Sequence, residues 1–455
     1  MSVDRDAALS DAIAADVYAD AAADAPSASS ADRPPLRAVE PGEEPPAKPT
    51  TQDHARQLAK AHSYAIGGQQ LYTFDSGCYR PGERQVQQHV VELLGGAWSK
   101  RKADEIVSFL RIMSPELWPR PPLETLNVAN GLLTVETRKL APHDAAHLSP
   151  VQIAGRFDPD AGCPAIEAFL QSTIPDLIGL FFEIVGYLLT PDTRLQKAIM
   201  FNGPGGTGKS VAANLVRALL GAENVSSVAL HQLEEDRFAT ADLYGRLANV
   251  FADLDARALR SSSIFKSATG GDVLRAERKH REPFTFTPYA RMLFSANEAP
   301  PTSDNSDAFF DRWLIVPFHE RHRGTSHQDV DLLSRLTTPE ELSGLLNHAL
   351  VALDRLRRQH GFTRVASSEK AGERFRIDAD SAAGFCEERC ALDREGRVAK
   401  PELFAAYRAW CDANNRRPLG AQRFNRRLDE LHHLDQASSK GRDYWLGIEL
   451  QGEQA

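Results

Sequence analysis

Residues 197–221 read "KAIMFNGPGGTGKSVAANLVRALLG": an apolar segment, a glycine-rich turn and an amphipathic segment in succession. The turn fits the pattern G-x-x-x-x-G-K-[ST], which predicts a phosphate-binding loop between a strand and a helix. Backbone N–H groups of such a loop converge on phosphates, and the helix N-terminus adds partial positive charge. We therefore expect a nucleotide to be bound by Gly203, Pro204, Gly205, Gly206, Thr207, Gly208, Lys209, Ser210 and Val211.

The chemistry of this site needs a lysine, a metal ligand and an acid. We expect Lys209 to reach the β and γ phosphates of ATP and Ser210 to ligate Mg²⁺. The segment "LANVFADLD" places Asp253 directly after an apolar, strand-like run, so Asp253 is expected to be the carboxylate of the Mg²⁺ site. Asp255 is a second candidate for activating water, and the choice between the two acids stays open.

Two further polar residues follow strand-like segments. Asn297 ends "YARMLFSAN", where an amide can touch the γ-phosphate and orient the attacking water. Arg312 stands in "DAFFDRWLIVPF", in a loop that opens a strand. An arginine placed there can reach the nucleotide of a neighbouring subunit and neutralise charge in the transition state. The alternative for Arg312 is an ordinary surface arginine beside Asp311.

A charged segment, "FKSATGGDVLRAERKHREPFTFTP", lies between the acid and the asparagine and is interpreted as a hairpin with a basic tip. Cations grouped in this way attract phosphates, with an affinity that falls as salt rises. A charge run is more often a solvated face, but its position inside a nucleotide-binding core favours DNA contact. The expected DNA-binding residues are Lys266, Arg275, Arg278, Lys279, His280 and Arg281.

The segments "GPGGTGKS", "NVFADLD", "FKSATGGDVLRAERKH", "LFSAN" and "DRWLIVPF" together resemble the superfamily 3 helicases. They are most similar to the helicase portion of the phage- and plasmid-encoded primase–helicase family. Upstream, "VANGLLTVETRKLAPH" and "FDPDAGCPAIEAFL" resemble the domain that precedes the motor in that family. The resemblance covers about residues 62–455.

This resemblance implies an AAA+-like ATPase that uses ATP and Mg²⁺ and forms a ring, a hexamer in the family's pattern, around single-stranded or forked DNA. Lys279 and its neighbours would form the pore hairpin, and Arg312 would act on a neighbouring subunit. Two features depart from the family. Asp253 and Asp255 are not an adjacent acidic pair, and only the low-complexity segment precedes residue 62, so primer synthesis is not expected and a separate primase is a possible partner.

The C-terminal residues resemble the family's winged helix. "KPELFAAYRAWCDANN" is interpreted as a helix, "LGAQRFNRRLDEL" as the recognition helix and "SSKGRDYWLGIEL" as the wing. A helix in the major groove with a basic wing on the backbone can read DNA, whereas the alternative is a winged helix that docks a protein. The candidate DNA contacts are Arg423, Arg426, Arg427, Lys440 and Arg442.

The predicted fold class is α/β, because strand-like and helical runs alternate after the glycine-rich turn and indicate a parallel sheet. Apolar spacing predicts a helix at residues 177–188, and Thr338, Pro339 and Glu341 predict a helix start with a capping box. The expected domains are a disordered acidic tail (1–61), a small α/β domain (62–160), the ATPase core (161–325), a helical segment (326–364) and the winged helix (365–455).

Composition sets outer limits on the protein's class. The formal net charge of −9 is unusual for a nucleic-acid protein, so local basic loops must matter more than the total. No apolar run is long enough to span a membrane and no secretory signal is evident, so a cytoplasmic protein with no membrane partner is expected. The five cysteines are scattered; Cys386, Cys390 and Cys411 could suggest zinc, but buried thiols are favoured.

Two other functions remain open from the sequence. A DNA-binding replication initiator or loader could use ATP only as an assembly switch. A small-molecule or protein kinase is also compatible with the glycine-rich turn, although it leaves the basic hairpin and the winged helix without a role. Strand displacement separates the helicase from the switch.

Overall fold

The structure, a computed structural model, describes residues 48–255, 259, 261–279, 281–302, 304, 306–321, 329–414, 416 and 418–451. From Thr51 onward these residues form one unit by their contacts. The predicted domain boundaries at residues 160, 325 and 364 therefore stay predictions.

A three-stranded antiparallel sheet covered by three helices begins the described chain. Its strands are β1 (Tyr64–Gly67), β2 (Gln70–Asp75) and β3 (Cys78–Pro81). Its helices are α1 (Thr51–Ala61), α2 (Glu83–Leu94) and α3 (Lys100–Met113). The helices bury apolar residues at helical spacing in one shared core, which fixes them against the sheet.

The disordered tail predicted for residues 1–61 extends too far, because its last eleven residues form helix α1. Residues 1–47 lie outside the described part of the chain, but Thr51–Ala61 are helical. Ala55 and Leu58 are buried in the same core as Ile106 and Leu110. The prediction of disorder failed at residues 51–61. Two apolar side chains three positions apart form only a narrow apolar stripe, and a short helix of this kind is stable only when the stripe packs against another surface.

A second small antiparallel sheet follows, formed by β4 (Thr125–Val128), β5 (Gly131–Thr134) and β6 (Leu140–Ala141). The β4–β5 hairpin pairs Val128 with Gly131, so only two residues form its connection. The β2–β3 hairpin upstream pairs Asp75 with Cys78 and has a connection of the same length.

The central sheet has five parallel strands in the order β13-β7-β12-β9-β8. Its strands are β7 (Ala198–Asn202), β8 (Val225–Ser226), β9 (Ala248–Leu254), β12 (Arg291–Ala296) and β13 (Trp313–Pro317). The parallel-sheet α/β prediction is thus confirmed. Alternate residues of β7 enter different cores: Ile199 and Phe201 pack in one, Ala198 and Met200 in the other. Helices therefore cover both faces of the sheet.

The segments between and after these strands are mainly helical. The helices are α4 (Pro164–Thr173), α5 (Ile178–Leu188), α6 (Lys209–Leu220), α7 (Leu230–Glu235), α8 (Ser263–Gly270), α9 (Asp307–Phe310), α10 (Leu332–Leu336) and α11 (Pro339–Gln359). Between α8 and β12 in the sequence, β10 (Leu274–Ala276) and β11 (Phe284–Phe286) form a short antiparallel hairpin. Short 3₁₀ helices cover Gly95–Ala97, Ala222–Asn224 and Ala239–Leu243.

The predicted helix near residues 177–188 is confirmed as α5, although its interior contains a buried charge. Glu183 is fully buried and accepts hydrogen bonds from Arg355 Nε at 2.6 Å and from Thr363 N at 2.8 Å. Those bonds satisfy the carboxylate, as a buried charge requires. Among the described residues no single helix is long and apolar enough to cross a membrane; α4 and α5 pass that test only as a pair bent by 120°.

Half of the capping box predicted at the start of α11 is present. The Thr338 side chain accepts a hydrogen bond from Glu341 N. The Glu341 carboxylate instead accepts from Ala165 N at 3.1 Å and Ile166 N at 3.0 Å, so it caps α4. Unpaired N–H groups at a nearby helix start compete for the same carboxylate, and sequence alone does not show them.

The C-terminal region has its own aromatic core around Phe385, Tyr407, Phe424 and Trp445. Its helices are α12 (Ala366–Ala379), α13 (Ser381–Arg389), α14 (Lys400–Ala413) and α15 (Ala421–His432). Its strands are β14 (Cys390–Ala391), β15 (Arg397–Ala399), β16 (Asp435–Ser439), β17 (Arg442–Leu446) and β18 (Glu449–Leu450). The two predicted helices and the β16–β17 hairpin are present. All five cysteines are buried free thiols, as expected.

Candidate functional site

The glycine-rich loop joins the end of β7 to the start of α6, and its backbone conformation requires glycine. Gly203 has φ +148°, and a Cβ there would lie 2.0 Å from the Phe318 carbonyl oxygen. Gly208 has φ +93° and precedes the first residue of α6. The loop therefore lies against β13 on one side and directs the N-terminus of α6 into the space above the sheet.

Lys209 lies at the centre of this loop with its side chain buried. Its Nζ donates to Gly203 O at 2.5 Å, to Pro204 O at 2.7 Å and to Asn297 Oδ1 at 3.1 Å. Burial lowers the pKa of the Lys209 ammonium, while Asp253 acts in the opposite direction. All three acceptors are uncharged oxygens, so an anion entering the loop would gain a full charge interaction with Lys209.

The carboxyl ends of β7, β9 and β12 bring the predicted residues together. A pocket of about 1070 Å³ is lined by Lys209, Ser210, Asp253 and Asn297, with residues 205–208 and Val211 of the loop. Parallel strands end at the same edge of a sheet, which explains why residues far apart in sequence converge. Gly203 and Pro204 lie behind the pocket wall, where their carbonyls hold Lys209.

A β-bulge in β9 directs Asp253 into the pocket. Phe251 pairs with Phe294 and Leu254 with Ala296, so Ala252 and Asp253 together face the single residue Ser295. The extra residue re-aims the strand, and both Ala252 and Asp253 line the pocket. Asp255 follows the last residue of β9, and its Oδ1 lies 3.8 Å from His231 Nδ1.

The structure places the two candidate acids differently. The Asp255 carboxylate lies outside the pocket that contains Lys209. On a regular strand, two acids two positions apart would share a face. β9 ends at Leu254, so Asp255 does not continue the strand. Which acid activates water stays a prediction.

Several pocket residues were missed by sequence reasoning. Phe169, Ser172 and Thr173 of α4 form one wall, and Ser295 of β12 lies in the floor. Arg335 of α10 lines the rim, where it forms an ion pair with Asp329. These side chains carry no motif, and only the packing of α4 and α10 beside the loop brings them there.

Arg312 lies at the amino-terminal ends of the parallel strands, whereas the pocket lies at their carboxyl ends. It precedes β13, whose first residue Trp313 pairs with Ala198 at the start of β7. Its guanidinium donates to Thr269 Oγ1 at 3.0 Å, to Gln196 Oε1 at 3.4 Å and to the Ala308 carbonyl. The length of β7 separates it from the glycine-rich loop by roughly 13 Å. Arg312 is therefore not a residue of its own chain's pocket.

The predicted basic hairpin is present as β10 and β11, and part of its charge is exposed. Arg275 is exposed and lies 3.3 Å from Glu277. Lys279 is exposed at the tip, and Arg281 lies 3.9 Å from Glu83 of α2. His280, also predicted to contact DNA, lies outside the described residues. The hairpin thus presents Arg275, Lys279 and Arg281 to solvent.

Two of the predicted DNA contacts are engaged inside the chain instead. Arg278 donates from Nη1 to Gly68 O at 3.0 Å and stacks over the Phe284 ring at 4.7 Å. Lys266 pairs with Asp304 at 2.7 Å. Burial alone would raise the pKa of Asp304, but hydrogen bonds from Lys266 and neighbouring hydroxyls outweigh it and lower the pKa to about 2. These contacts correct the prediction that Arg278 and Lys266 face DNA.

Helix α15 divides its arginines between solvent and core. Arg423 and Arg426 are exposed, as are Lys440 and Arg442 at the β16–β17 turn. Arg427 is buried and donates from Nε to Asp380 Oδ2 at 2.6 Å. Asp380 is itself fully buried. The prediction that Arg427 contacts DNA is therefore wrong, because its position on the helix turns inward where Arg423 and Arg426 turn outward.

Three family models match separate parts of the chain. A "D5 N terminal like" family matches residues 53–175, and a "Poxvirus D5 protein-like" family matches residues 377–442. A family of unknown function (DUF5906) matches residues 201–312, which contain the glycine-rich loop and Arg312. The two D5-type matches thus flank the sheet that carries the pocket.

One relative and one solved structure extend this comparison. A protein of Acanthamoeba polyphaga mimivirus described as "Putative helicase" is 25% identical over 162 residues, covering 34% of this chain and 17% of its own length. The apo C-terminal region of NrS-1 is 13% identical, covers 88% of this chain and 99% of its own, and superposes with a TM-score of 0.50. The NrS-1 likeness shows a shared α/β fold with a parallel sheet. Parts of this chain are thus similar to D5-type proteins and to a protein described as a putative helicase.

Proposed function

We propose that this protein is an ATP-dependent DNA helicase that serves the replication of a phage, plasmid or prophage. The observation that carries the proposal is the meeting of Lys209, Asp253 and Asn297 in one pocket at the carboxyl edge of a parallel sheet. The D5-like and helicase-like relatives support the same assignment. Membership of superfamily 3 and an AAA+-like core are parts of this proposal.

The pocket residues fit ATP as substrate and Mg²⁺ as its metal. The Lys209 ammonium is held only by neutral oxygens, so the β and γ phosphates would be its first anionic partners. Ser210 and Asp253 supply the hard oxygen ligands that Mg²⁺ prefers, and Mg²⁺ neutralises charge on the phosphates when bound. Asn297 is close enough to Lys209 to orient water at the same phosphate. The apolar and hydroxyl side chains of α4 would border the nucleoside.

The position of Arg312 supports a ring. An arginine at the amino edge of the sheet is out of reach of its own pocket, but a neighbouring subunit can present it to the next pocket in a head-to-tail assembly. Such an arginine stabilises transition-state charge and contributes on the order of 10³–10⁵ in rate. We propose a homo-oligomer, a hexamer in the family's pattern, that encircles single-stranded DNA at a fork in the bacterial cytoplasm.

Two exposed basic surfaces are the proposed DNA contacts. The hairpin surface consists of Arg275, Lys279 and Arg281 and would face the central channel. The C-terminal surface consists of Arg423, Arg426, Lys440 and Arg442, arranged on a helix and a hairpin as in a winged helix. Both surfaces would bind phosphates, so affinity should fall with salt.

Energy favours a motor over a DNA-binding switch. Base stacking averages about 1.4 kcal/mol per step, so opening ten steps costs about 14 kcal/mol. Nanomolar binding supplies about 12 kcal/mol once, which is not enough to open a long duplex. Repeated ATP turnover supplies that free energy again at each step. An initiator or loader that uses ATP only for assembly remains the second candidate, favoured by the C-terminal basic surface.

Strand displacement on a fork with a long duplex tests the proposal. Wild type should unwind the fork catalytically with ATP, and Lys209→Ala should lose ATP hydrolysis and unwinding together. Lys60→Ala, which removes an exposed lysine from α1, is the matched control and should behave as wild type. ATP-dependent assembly on DNA without displacement by the wild type would select the switch.

Mixing two inactive variants tests the role of Arg312. Lys209→Ala and Arg312→Ala subunits should each lack ATPase activity when pure. In a mixed ring, an interface between an intact Lys209 pocket and an intact Arg312 forms whenever the two variants are neighbours. Recovery of hydrolysis on mixing supports action between subunits, and a mixture as inactive as its parts contradicts it.

A further inference from the structure

Three metal-ligating side chains from two helices meet at the start of α4. Cys163 Sγ, a Glu167 carboxylate oxygen and a His348 ring nitrogen all lie within 4.8 Å of one another. His348 Nε2 and Glu167 Oε1 are 3.3 Å apart. None of these residues belongs to the nucleotide pocket or to the basic surfaces.

The local fold holds the three groups in place. Cys163 precedes α4 and is buried, and Glu167 follows one helical turn later. The His348 ring of α11 stacks on Phe182, with centroids 4.6 Å apart and planes 17° apart. That stacking orients the ring, while the half-exposed Glu167 and His348 side chains leave a path from solvent.

Carboxylates surround the cluster. Glu167 belongs to it, and Glu341 lies nearby, where it accepts a hydrogen bond from Ala165 N at 3.1 Å. A divalent cation would offset the negative charge of both carboxylates, and its binding would release the Cys163 thiol proton to solvent.

We propose that Cys163, Glu167 and His348 form a Zn²⁺-binding site with water as the fourth ligand. Bond lengths of about 2.0–2.3 Å give ligand–ligand separations of roughly 3.3–3.8 Å in a tetrahedral site. The His348–Glu167 pair already has that separation, and the Cys163 pairs, at no more than 4.8 Å, need to close by at most about 1.3 Å. A thiolate and an imidazole select Zn²⁺ over the harder Mg²⁺.

Zn²⁺ at this position would join α11 to the wall of the nucleotide pocket. Phe169, Ser172 and Thr173 of α4 line that pocket, one to three turns after Cys163. Fixing the start of α4 would therefore stabilise the wall against which the nucleoside packs. The site itself does not rest on the proposed helicase function, because its test uses the metal alone.

Cobalt substitution tests the site directly. Metal-stripped full-length protein is titrated with Co²⁺, and one equivalent should produce thiolate-to-cobalt charge-transfer absorption with tetrahedral d–d bands. Zn²⁺ should bleach that spectrum in competition. Cys163→Ser should abolish the charge-transfer band, and His348→Ala should weaken Zn²⁺ binding at least about tenfold.

Two controls keep the outcome decisive. Cys78→Ser changes another buried thiol, in β3, and should leave the cobalt spectrum unchanged. Glu167→Gln keeps a half-exposed side chain of the same shape, so it should weaken metal binding without destabilising the fold. If the spectrum persists in Cys163→Ser, or if no stoichiometric Zn²⁺ binds, the proposal is overturned and the cluster is a His348–Glu167 ion pair beside a buried thiol.

Discussion

The nucleotide pocket and the basic surfaces hold their charged side chains in different ways. In the pocket, Lys209, Asp253 and Asn297 come from three strand ends and face one cavity. On the basic surfaces, neighbouring cations of one segment divide between solvent and intramolecular contacts, as Lys279 and Arg278 do. The pocket residues converge because parallel strands end on the same side of the sheet. A run of like charges in the sequence does not show which side chains face solvent. Four pairs of variants test this contrast.

The largest effect is expected at the buried cation of α15. Arg427→Met leaves the buried Asp380 carboxylate without its guanidinium, which should lower the free energy of unfolding by about 3–5 kcal/mol. Denaturant unfolding followed in the C-terminal region measures the loss. Arg423→Ala, one turn away and exposed, should stay within about 0.5 kcal/mol of wild type. Equal, small losses in both variants would place Arg427 at the surface.

The next effect separates the two acids of β9. Asp253→Asn should reduce the ATPase kcat by about 10²-fold or more, because it removes the proposed carboxylate ligand of the Mg²⁺ ion that neutralises charge on the phosphates. Asp255→Asn should leave kcat nearly unchanged, since its carboxylate lies beside His231 outside the pocket. Steady-state ATPase assays on both variants measure this ratio. A larger loss from Asp255→Asn than from Asp253→Asn would contradict the bulge geometry.

A smaller effect distinguishes the two adjacent cations of the hairpin. Arg278→Ala removes the bond to Gly68 and the stacking on Phe284, and should lower the local opening free energy of the hairpin by about 1–2 kcal/mol. Hydrogen exchange over residues 274–286 measures that change. Lys279→Ala should leave exchange unchanged but remove the stimulation of ATP hydrolysis by single-stranded DNA. If the roles are reversed, Arg278 is the DNA contact.

The smallest effect is a change in salt dependence at the β16–β17 turn. Lys440→Asn and Arg442→Gln should each reduce the slope of log affinity against log salt by about 1. Asparagine is used at residue 440 because this position has φ +51° and asparagine tolerates that conformation. Fluorescence anisotropy with duplex DNA at several salt concentrations gives the slope. A slope unchanged in both variants would favour a protein-docking role for this surface.

Local sequence patterns predicted most of the fold, but they did not predict the position or partner of a side chain that depends on tertiary neighbours. The glycine-rich turn, the alternation of strands and helices and the β16–β17 hairpin follow from short-range steric and turn preferences, and all three elements are present. Glu341 was expected to cap its own helix, yet it caps α4. Asp253 and Asp255 could not be distinguished from the sequence, because the bulge that turns Asp253 into the pocket is visible only in the pairing of β9 with β12. Each failure reflects a tertiary neighbour that changed a local preference.

The parallel α/β core and the glycine-rich loop before a helix could be predicted from the sequence, because glycine conformations and apolar periodicity act over a few residues. Which charged side chains are available to a ligand depends on how the folded chain packs. The tertiary structure turned Asp253 into the pocket, buried Arg427 against Asp380, and brought Cys163 and Glu167 of α4 beside His348 of α11. The physical reason is that desolvation and hydrogen bonding depend on which surfaces meet, and residues distant in sequence form those surfaces.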